Sequence, residues 1–343
     1  MKFPLLIPIW TATLSLVVAA FASTEKQIFL QGIGASFPAP LYQRWIAEFR
    51  EIRPDIEVNY QAIGSGAGIK ALKRGIVDFA ASDALASREG VAIPKGIVTI
   101  PVIGGSVVLG YNLPGITSLR LSRKAYIDIF LGKITRWNDP SIASTNCEVT
   151  LPNLPILVVT RSDGSGTTFA LTRHLSAISQ DFKNAIGANK SVAWPAGVAG
   201  KGNDGVTTLI RQIPGAIGYI EYSYAVSSKV TFPELQNKSG NFVRATTASG
   251  YAALSSISSS EDSPTDPDGK EDYPIVTFSW LLLYRTYEDA EKSRALKAFV
   301  GYALTTGQSF AEKLGYVPLP SLMVKKTREK LTSVNSKPRP AVE

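Results

Sequence analysis

Three short segments of this chain place glycine and a hydroxyl residue where an apolar run gives way to a helical pattern: residues 32–37, 64–68 and 163–168. Glycine lets a backbone approach a ligand closely. A helix N-terminus presents unpaired N–H groups and about half a positive charge. Ser36, Ser65, Ser165 and Thr167 add hydroxyl donors. A single such turn is also what an ordinary helix cap looks like. Three of them, if they converge, bring on the order of +1.5 of partial charge, enough to hold a dianion without three cationic side chains. Arg161 ends an apolar run beside the third turn, and its planar fork can clamp a tetrahedral oxyanion through two parallel bonds. A salt bridge to Asp163 is the alternative use, and the two are compatible. Asp83 ends the strand-like run 77–81. A carboxylate repels an anion unless the anion has a proton to donate. Monohydrogen phosphate has one at neutral pH and sulfate has none, so an acceptor in a dry site selects the former. Helix capping is the alternative for Asp83.

Other chemistries are poorly supported. The 343 residues include one His and one Cys, which excludes a multi-histidine metal site and a disulfide framework. No metal or cofactor is expected. No segment reads G-x-x-x-x-G-K-[ST], and the glycines around Ser65 and Ser165 lack the spacing of a nucleophile elbow. His174 falls nine residues beyond Ser165 in the same predicted helix, out of reach as its base, and is expected to be structural or surface. Cys147 sits in a polar loop and carries no assignment. The formal charge is +8, but the basic residues are spread along the chain. They do not alternate with aromatics as a single-strand nucleic-acid groove requires.

Stepping from these residues to their supports, the chain alternates strand-like and helix-like segments, which argues for α/β with largely parallel sheets. Residues 41, 45, 49 and 52 are apolar at helical spacing after Pro38 and Pro40. A strand is expected at 56–60, a turn at 64–68 with a short helix over 69–74, and two strands within 97–109. A helix is expected over 124–130, a buried strand over 156–159 and a helix over 169–176. Strands at 215–220 and 276–284 follow, then an amphipathic helix through Leu296, Phe299, Val300 and Ala303. Residues 261–272 hold six acids and one Lys. They are dense in acids and Pro and read as a solvated loop, and Pro264 and Pro267 break the pattern of a calcium loop. At the N-terminus, Lys2, an apolar stretch and Ala20-Phe21-Ala22 read as an export signal cut near Ala22.

Gly34-Ala35-Ser36-Phe37-Pro38-Ala39-Pro40, Val77-Asp78-Phe79-Ala80-Ala81-Ser82-Asp83 and Arg161-Ser162-Asp163-Gly164-Ser165-Gly166-Thr167 together resemble the periplasmic phosphate-binding protein of the high-affinity phosphate ABC transporter. Trp194-Pro195, Gly200-Lys201-Gly202-Asn203-Asp204-Gly205 and Pro214-Gly215-Ala216-Ile217-Gly218-Tyr219 extend the likeness over nearly the whole chain. The resemblance implies a type II periplasmic binding protein fold, two α/β lobes joined by two crossover segments with the ligand in the cleft between them. It implies a signal peptide over 1–22, lobe I over 23–104 plus 275–343, and lobe II over 105–274. The ligand implied is inorganic phosphate, passed to the transmembrane permease subunits by an exported, periplasmic, monomeric receptor that is not an enzyme. Carried over residue by residue, the site is Ser36, Phe37, Ser65, Asp83, Arg161, Ser165, Gly166 and Thr167. Ser36 stands where the family often has Thr, and Gly66 where relatives can have a second Ser. The rival readings are a receptor for sulfate or molybdate, a secreted phosphohydrolase, and a surface scaffold or adhesin using the basic face.

Overall fold

A computed structural model describes residues 27–85, 95–255 and 263–337. The expected export signal lies outside them. Eight strands build one mixed sheet: β1 (Ile28–Gly34), β2 (Ile56–Ala62), β3 (Phe79–Ser82), β4 (Ile97–Tyr111), β5 (Leu157–Arg161), β6 (Val198–Gly200), β7 (Ala216–Glu221) and β8 (Val276–Tyr284). Their order across the sheet is β2-β1-β3-β8-β4-β7-β5-β6. The outer pairs are parallel, as the βα alternation predicts. The three central pairings are antiparallel, because β8 returns from late in the chain and runs against both β3 and β4.

Strand β4 links the two halves. Its residues 97–106 pair with β8 and its residues 107–111 with β7. The two strands expected within 97–109 are thus one strand of 15 residues, buried on both faces for nearly its whole length. Pro101, which has no N–H for the ladder, is accommodated by a register shift opposite Ser279 and Trp280, as bulges allow.

The helices that matter to the site are α1 (Ala39–Ile52), α2 (Ser65–Lys73), α3 (Arg123–Phe130), α4 (Gly166–Ile178), α5 (Gly202–Gln212) and α6 (Ala290–Ala303). In α1 the expected series buries Leu41, Trp45 and Phe49, but Ile52 is 60% exposed at the helix end, where the next turn no longer covers it. Helix α2 begins at Ser65 rather than at residue 69, so the 64–68 turn is itself the first helical turn. Helix α4 begins at Gly166 rather than 169. Both shifts move the Gly/Ser donors from a preceding loop into a helix N-terminus.

The acidic segment is not simply solvated over its described part. Asp266 makes a bidentate pair with Arg123 at 2.8 and 3.0 Å, and Ser263 and Asp272 are buried. The carbonyl of Thr265 takes the His174 ring at 2.9 Å, while the other ring nitrogen meets the Tyr126 hydroxyl at 3.1 Å. His174 is therefore a buried clasp of this segment, and burial holds its pKa down at about 4. Cys147 is exposed. Among the described residues no helix is long and apolar enough to cross a membrane.

Gly68, inside α2, shows how tightly the first two turns are seated. A Cβ there would stand 2.6 Å from the Ile33 carbonyl oxygen and 2.7 Å from the Gly34 Cα. Alanine gains roughly 1 kcal/mol of helix propensity over glycine, but backbone atoms cannot yield as side chains do. Gly68→Ala is expected to lower stability by about 1–3 kcal/mol, the usual cost of overpacking, read as a fall in the urea midpoint.

Candidate anion-binding site

The first turn follows β1. Three tyrosine hydroxyls hold its carbonyls. Tyr60 donates to Ala35 at 2.6 Å, Tyr224 to Ser36 at 2.7 Å and Tyr316 to Phe37 at 2.8 Å. The Ala35 N–H bonds the Ala81 carbonyl at 3.0 Å, which leaves the N–H groups of Ser36 and Phe37 as the turn's candidate donors. The Ser36 hydroxyl oxygen accepts from Asn203 twice, from the backbone N at 3.1 Å and from Nδ2 at 3.0 Å. That leaves its proton to donate.

The second turn opens with Gly64, whose φ of +101° suits glycine. Its N–H bonds the Gly34 carbonyl at 2.8 Å, tying the second turn to the first. The N–H of Gly66 bonds the Gly164 carbonyl at 2.8 Å, tying the second turn to the third. In the third turn the Ser165 hydroxyl oxygen caps α4 by accepting from Thr168 N at 3.1 Å. The N–H groups of Gly166 and Thr167, first in the helix, have no carbonyl of an earlier turn to bond.

Asp83 lies at this meeting point, within electrostatic reach of Arg161. A Cβ built on Gly166 would lie 2.7 Å from Asp83 Oδ2 and 2.8 Å from the Ser65 hydroxyl. The Ser65 hydroxyl also accepts from Asp83 N at 3.3 Å. Only glycine at 166 leaves room there. Arg161 donates to Asp163 through Nε at 2.8 Å and a terminal nitrogen at 2.5 Å, and to Thr167 Oγ1 at 3.3 Å. Both sequence readings of Arg161 hold: it is paired, and the pair fixes the plane of its fork. Asp163 accepts as well from Gly202 N at 3.0 Å, the residue before Asn203. The eight residues singled out from sequence are therefore gathered by a connected set of bonds and close approaches, with Phe37 held through its carbonyl.

The carboxyl groups sit in different environments. Burial pushes Asp163 up, but the bonds from Arg161 outweigh it and the net shift is downward. Asp83 has no such clamp. Burial pushes it up to about 7, against the opposing pulls of Ser279, Arg161 and Ser65. A further buried acid escaped the sequence reading. Glu221, at the end of β7, is wholly buried, and burial pushes it well above the usual carboxylate range despite bonds from Ser223. Its N–H bonds Asn203 Oδ1 at 2.9 Å. Asn203 was likewise missed as a positioning group; its only sequence signal was the glycine-flanked motif at 200–205. Among the described residues no group of three or more His, Cys, Asp and Glu side chains is placed to hold a metal ion.

Known proteins resemble this chain over most of its length. Residues 19–306 match the PBP superfamily domain. The chain is 40% identical over 320 residues to the phosphate-binding protein PstS of Pasteurella multocida, covering 91% of this chain and 92% of that one. It is 41% identical over 302 residues to the PstS protein of Haemophilus influenzae, covering 86% and 90%. Among solved structures, a high-affinity periplasmic phosphate-binding protein with bound phosphate at pH 8.5 superposes with a TM-score of 0.69 at 21% identity, covering 88% of this chain and 93% of that one. The expected type II fold is thus the fold observed.

The buried Asp83 has a consequence for the free protein. An acid whose folded pKa is raised binds its proton more tightly when folded, so its ionisation opposes folding. With Asp83 moved from 3.8 to about 7, stability should rise as pH falls from about 8 towards 4, by up to about 4 kcal/mol at 1.36 kcal/mol per unit. Asp83→Asn should be the more stable protein at pH 8 and should show a smaller rise, the part that the buried Glu221 still contributes. Urea melts of both proteins, free of ligand, across that range are the check.

Proposed function

We propose, for a chain that belongs to the PBP superfamily and within it to the phosphate-binding proteins of the PstS type, that the gathered turns hold inorganic phosphate, which the protein delivers to the permease of an ABC importer. The protein is a receptor and not an enzyme. Ser36, Ser65, Ser165 and Thr167 donate through their hydroxyls, and Phe37, Gly166 and Thr167 through backbone N–H groups. Arg161, its plane set by Asp163, supplies the one guanidinium. Asp83 accepts the proton that distinguishes monohydrogen phosphate from sulfate. The observation that carries this reading is the position of Asp83, an acceptor placed among donors beside Gly166, where an ion without a proton would meet a carboxylate oxygen head-on.

The lobe limits that fit this role are 23–104 plus 275–343 and 105–274. Near those limits, β4 and the lead into β8 cross from one half of the sheet to the other. Closure about such crossovers is a hinge motion, and the contacts Gly66–Gly164 and Ser36–Asn203 belong to the closed form. The working location is the periplasm, after removal of residues 1–22, and the working form is the monomer.

Calorimetric titration with phosphate and then with sulfate tests the reading. Saturable phosphate heat with far weaker sulfate binding is expected. Equal binding of both ions would assign the site to oxyanions in general and remove the filter. Ser165→Ala deletes a donor and leaves its partner short, at about 1–3 kcal/mol, so phosphate affinity should fall about 5- to 150-fold. An unchanged affinity would place Ser165 outside the site.

A further inference from the structure

The two oxygens of Asp83 face different surroundings. Oδ2 lies on the ligand side, at Gly166 and the Ser65 hydroxyl. Oδ1 is fully buried and has no hydrogen-bond partner among the described residues. Two donors with the same property, Ser279 Oγ and Tyr42 Oη, are also buried without a closed hydrogen bond. Their placement is not scattered. The antiparallel pairing of β8 with β3 ends at Trp280 and Ser82, so their chain neighbours Ser279 and Asp83 lie at the same end of it, and Ser279 and Thr277 share one face of β8. Thr277, two residues earlier on that face, already reaches the Asp83 carbonyl at 3.4 Å. Burial pushes both Tyr42 and Asp83 up, and the nearby Ser279 hydroxyl pulls both down.

We propose that Ser279 is the positioning residue of the anion filter: its hydroxyl donates to Asp83 Oδ1, fixes the plane of the carboxylate and favours its ionised form, so that Oδ2 alone meets the proton of the ligand. This rests on the reading of Asp83 as an acceptor for a hydrogen-bearing oxyanion. Tyr42 supplies a second hydroxyl from α1 beside Ser279. The other titratable or charged groups that act on Asp83 are Arg161, which favours its ionised form, and Tyr60, Glu221, Tyr224 and Tyr316, whose own ionisation it opposes. None of these donates to Oδ1.

The test uses the whole mature protein with phosphate and sulfate as titrants. Ser279→Ala deletes the donor and keeps the strand. Without it Asp83 keeps its proton to higher pH, and a neutral Asp83 offers an O–H to an ion that lacks one. The ratio of phosphate to sulfate affinity at pH 7.5 should fall about tenfold or more. The pH at which this ratio collapses on acidification should move upward. Ser279→Thr keeps a hydroxyl and should restore both readings. In an Asp83→Asn background, Ser279→Ala should add nothing to the ratio, as a shared pathway requires. Heat-denaturation midpoints of each variant confirm folding. A ratio and pH profile unchanged in Ser279→Ala would overturn the proposal. So would a loss that threonine does not rescue or that persists beside Asp83→Asn, since either marks a merely structural role. A wild-type protein that gives no phosphate heat would instead overturn the reading of the site itself.

Discussion

A carboxylate buried among hydrogen-bond donors is the constraint around which this molecule is arranged. Asp83 is 2% exposed and, among the described residues, forms no salt bridge, whereas Asp163, in the same site, is clamped by Arg161. Desolvation raises the cost of a charge steeply, and a buried acid ordinarily escapes by keeping its proton. Here the raised pKa of about 7 places Asp83 at the point where it can be either ionised or neutral near neutral pH. A group so balanced responds strongly to any neighbour that brings or withholds a proton. That sensitivity is destabilising for the free protein and useful for recognition, and the two are one property.

The donors around Asp83 depend in turn on where the carbonyls go. A peptide unit that turns its N–H to a ligand turns its C=O the other way, and that oxygen must be satisfied if it is buried. The tyrosine hydroxyls on Ala35, Ser36 and Phe37 do this for the first turn. Tyr60 belongs to β2, Tyr224 follows β7 and Tyr316 comes from near the C-terminus. The turn is thereby held from three distant parts of the chain. Asn203 bonds both Ser36 and the backbone of Glu221, so the contact between the two halves of the sheet and the geometry of the first turn are fixed by the same side chain. Movement of one half relative to the other cannot leave the Ser36 donor where it was.

Local chemistry was legible in the sequence, and long-range partnership was not. The three Gly/Ser turns, Asp83 and Arg161 declare themselves by residue type at the end of an apolar run. Their convergence comes from the parallel pairing of β1 with β2 and β3 and from the packing of Gly64 and Gly66 on residues 163–164, about a hundred positions away. The three tyrosines looked like ordinary core aromatics, because a hydroxyl bond to a carbonyl 25, 188 or 279 residues distant leaves no local pattern. Glu221 looked like the polar end of a strand. The segment ending at Asp272 looked solvated because its acids are dense, yet Arg123, 143 residues from Asp266, pairs with it. The division of 97–109 into two strands failed for a related reason: a strand continuing through proline requires a partner that shifts register, and that partner lies near residue 280.

Charge counting shows why such a site must recognise by hydrogen bonding rather than by Coulomb attraction. Arg161 contributes +1, Asp163 −1 and an ionised Asp83 −1, which leaves −1 from side chains. Glu221, held well above the usual range by burial, adds little while it keeps its proton. Against that stand three helix N-termini worth on the order of +1.5 together. The balance is close to neutral, so the overall +8 of the chain can draw anions towards the surface but cannot choose among them. Choice then falls to the match of donors to acceptors in a dry cleft, where one misplaced lone pair costs more than a shared net charge returns. On the proposed reading, a dianion with one O–H offers its oxygens to the hydroxyl and N–H donors and its proton to Asp83. On the same reading, an ion of that size and charge without the O–H sets one of its oxygens against Asp83 Oδ2 beside Gly166.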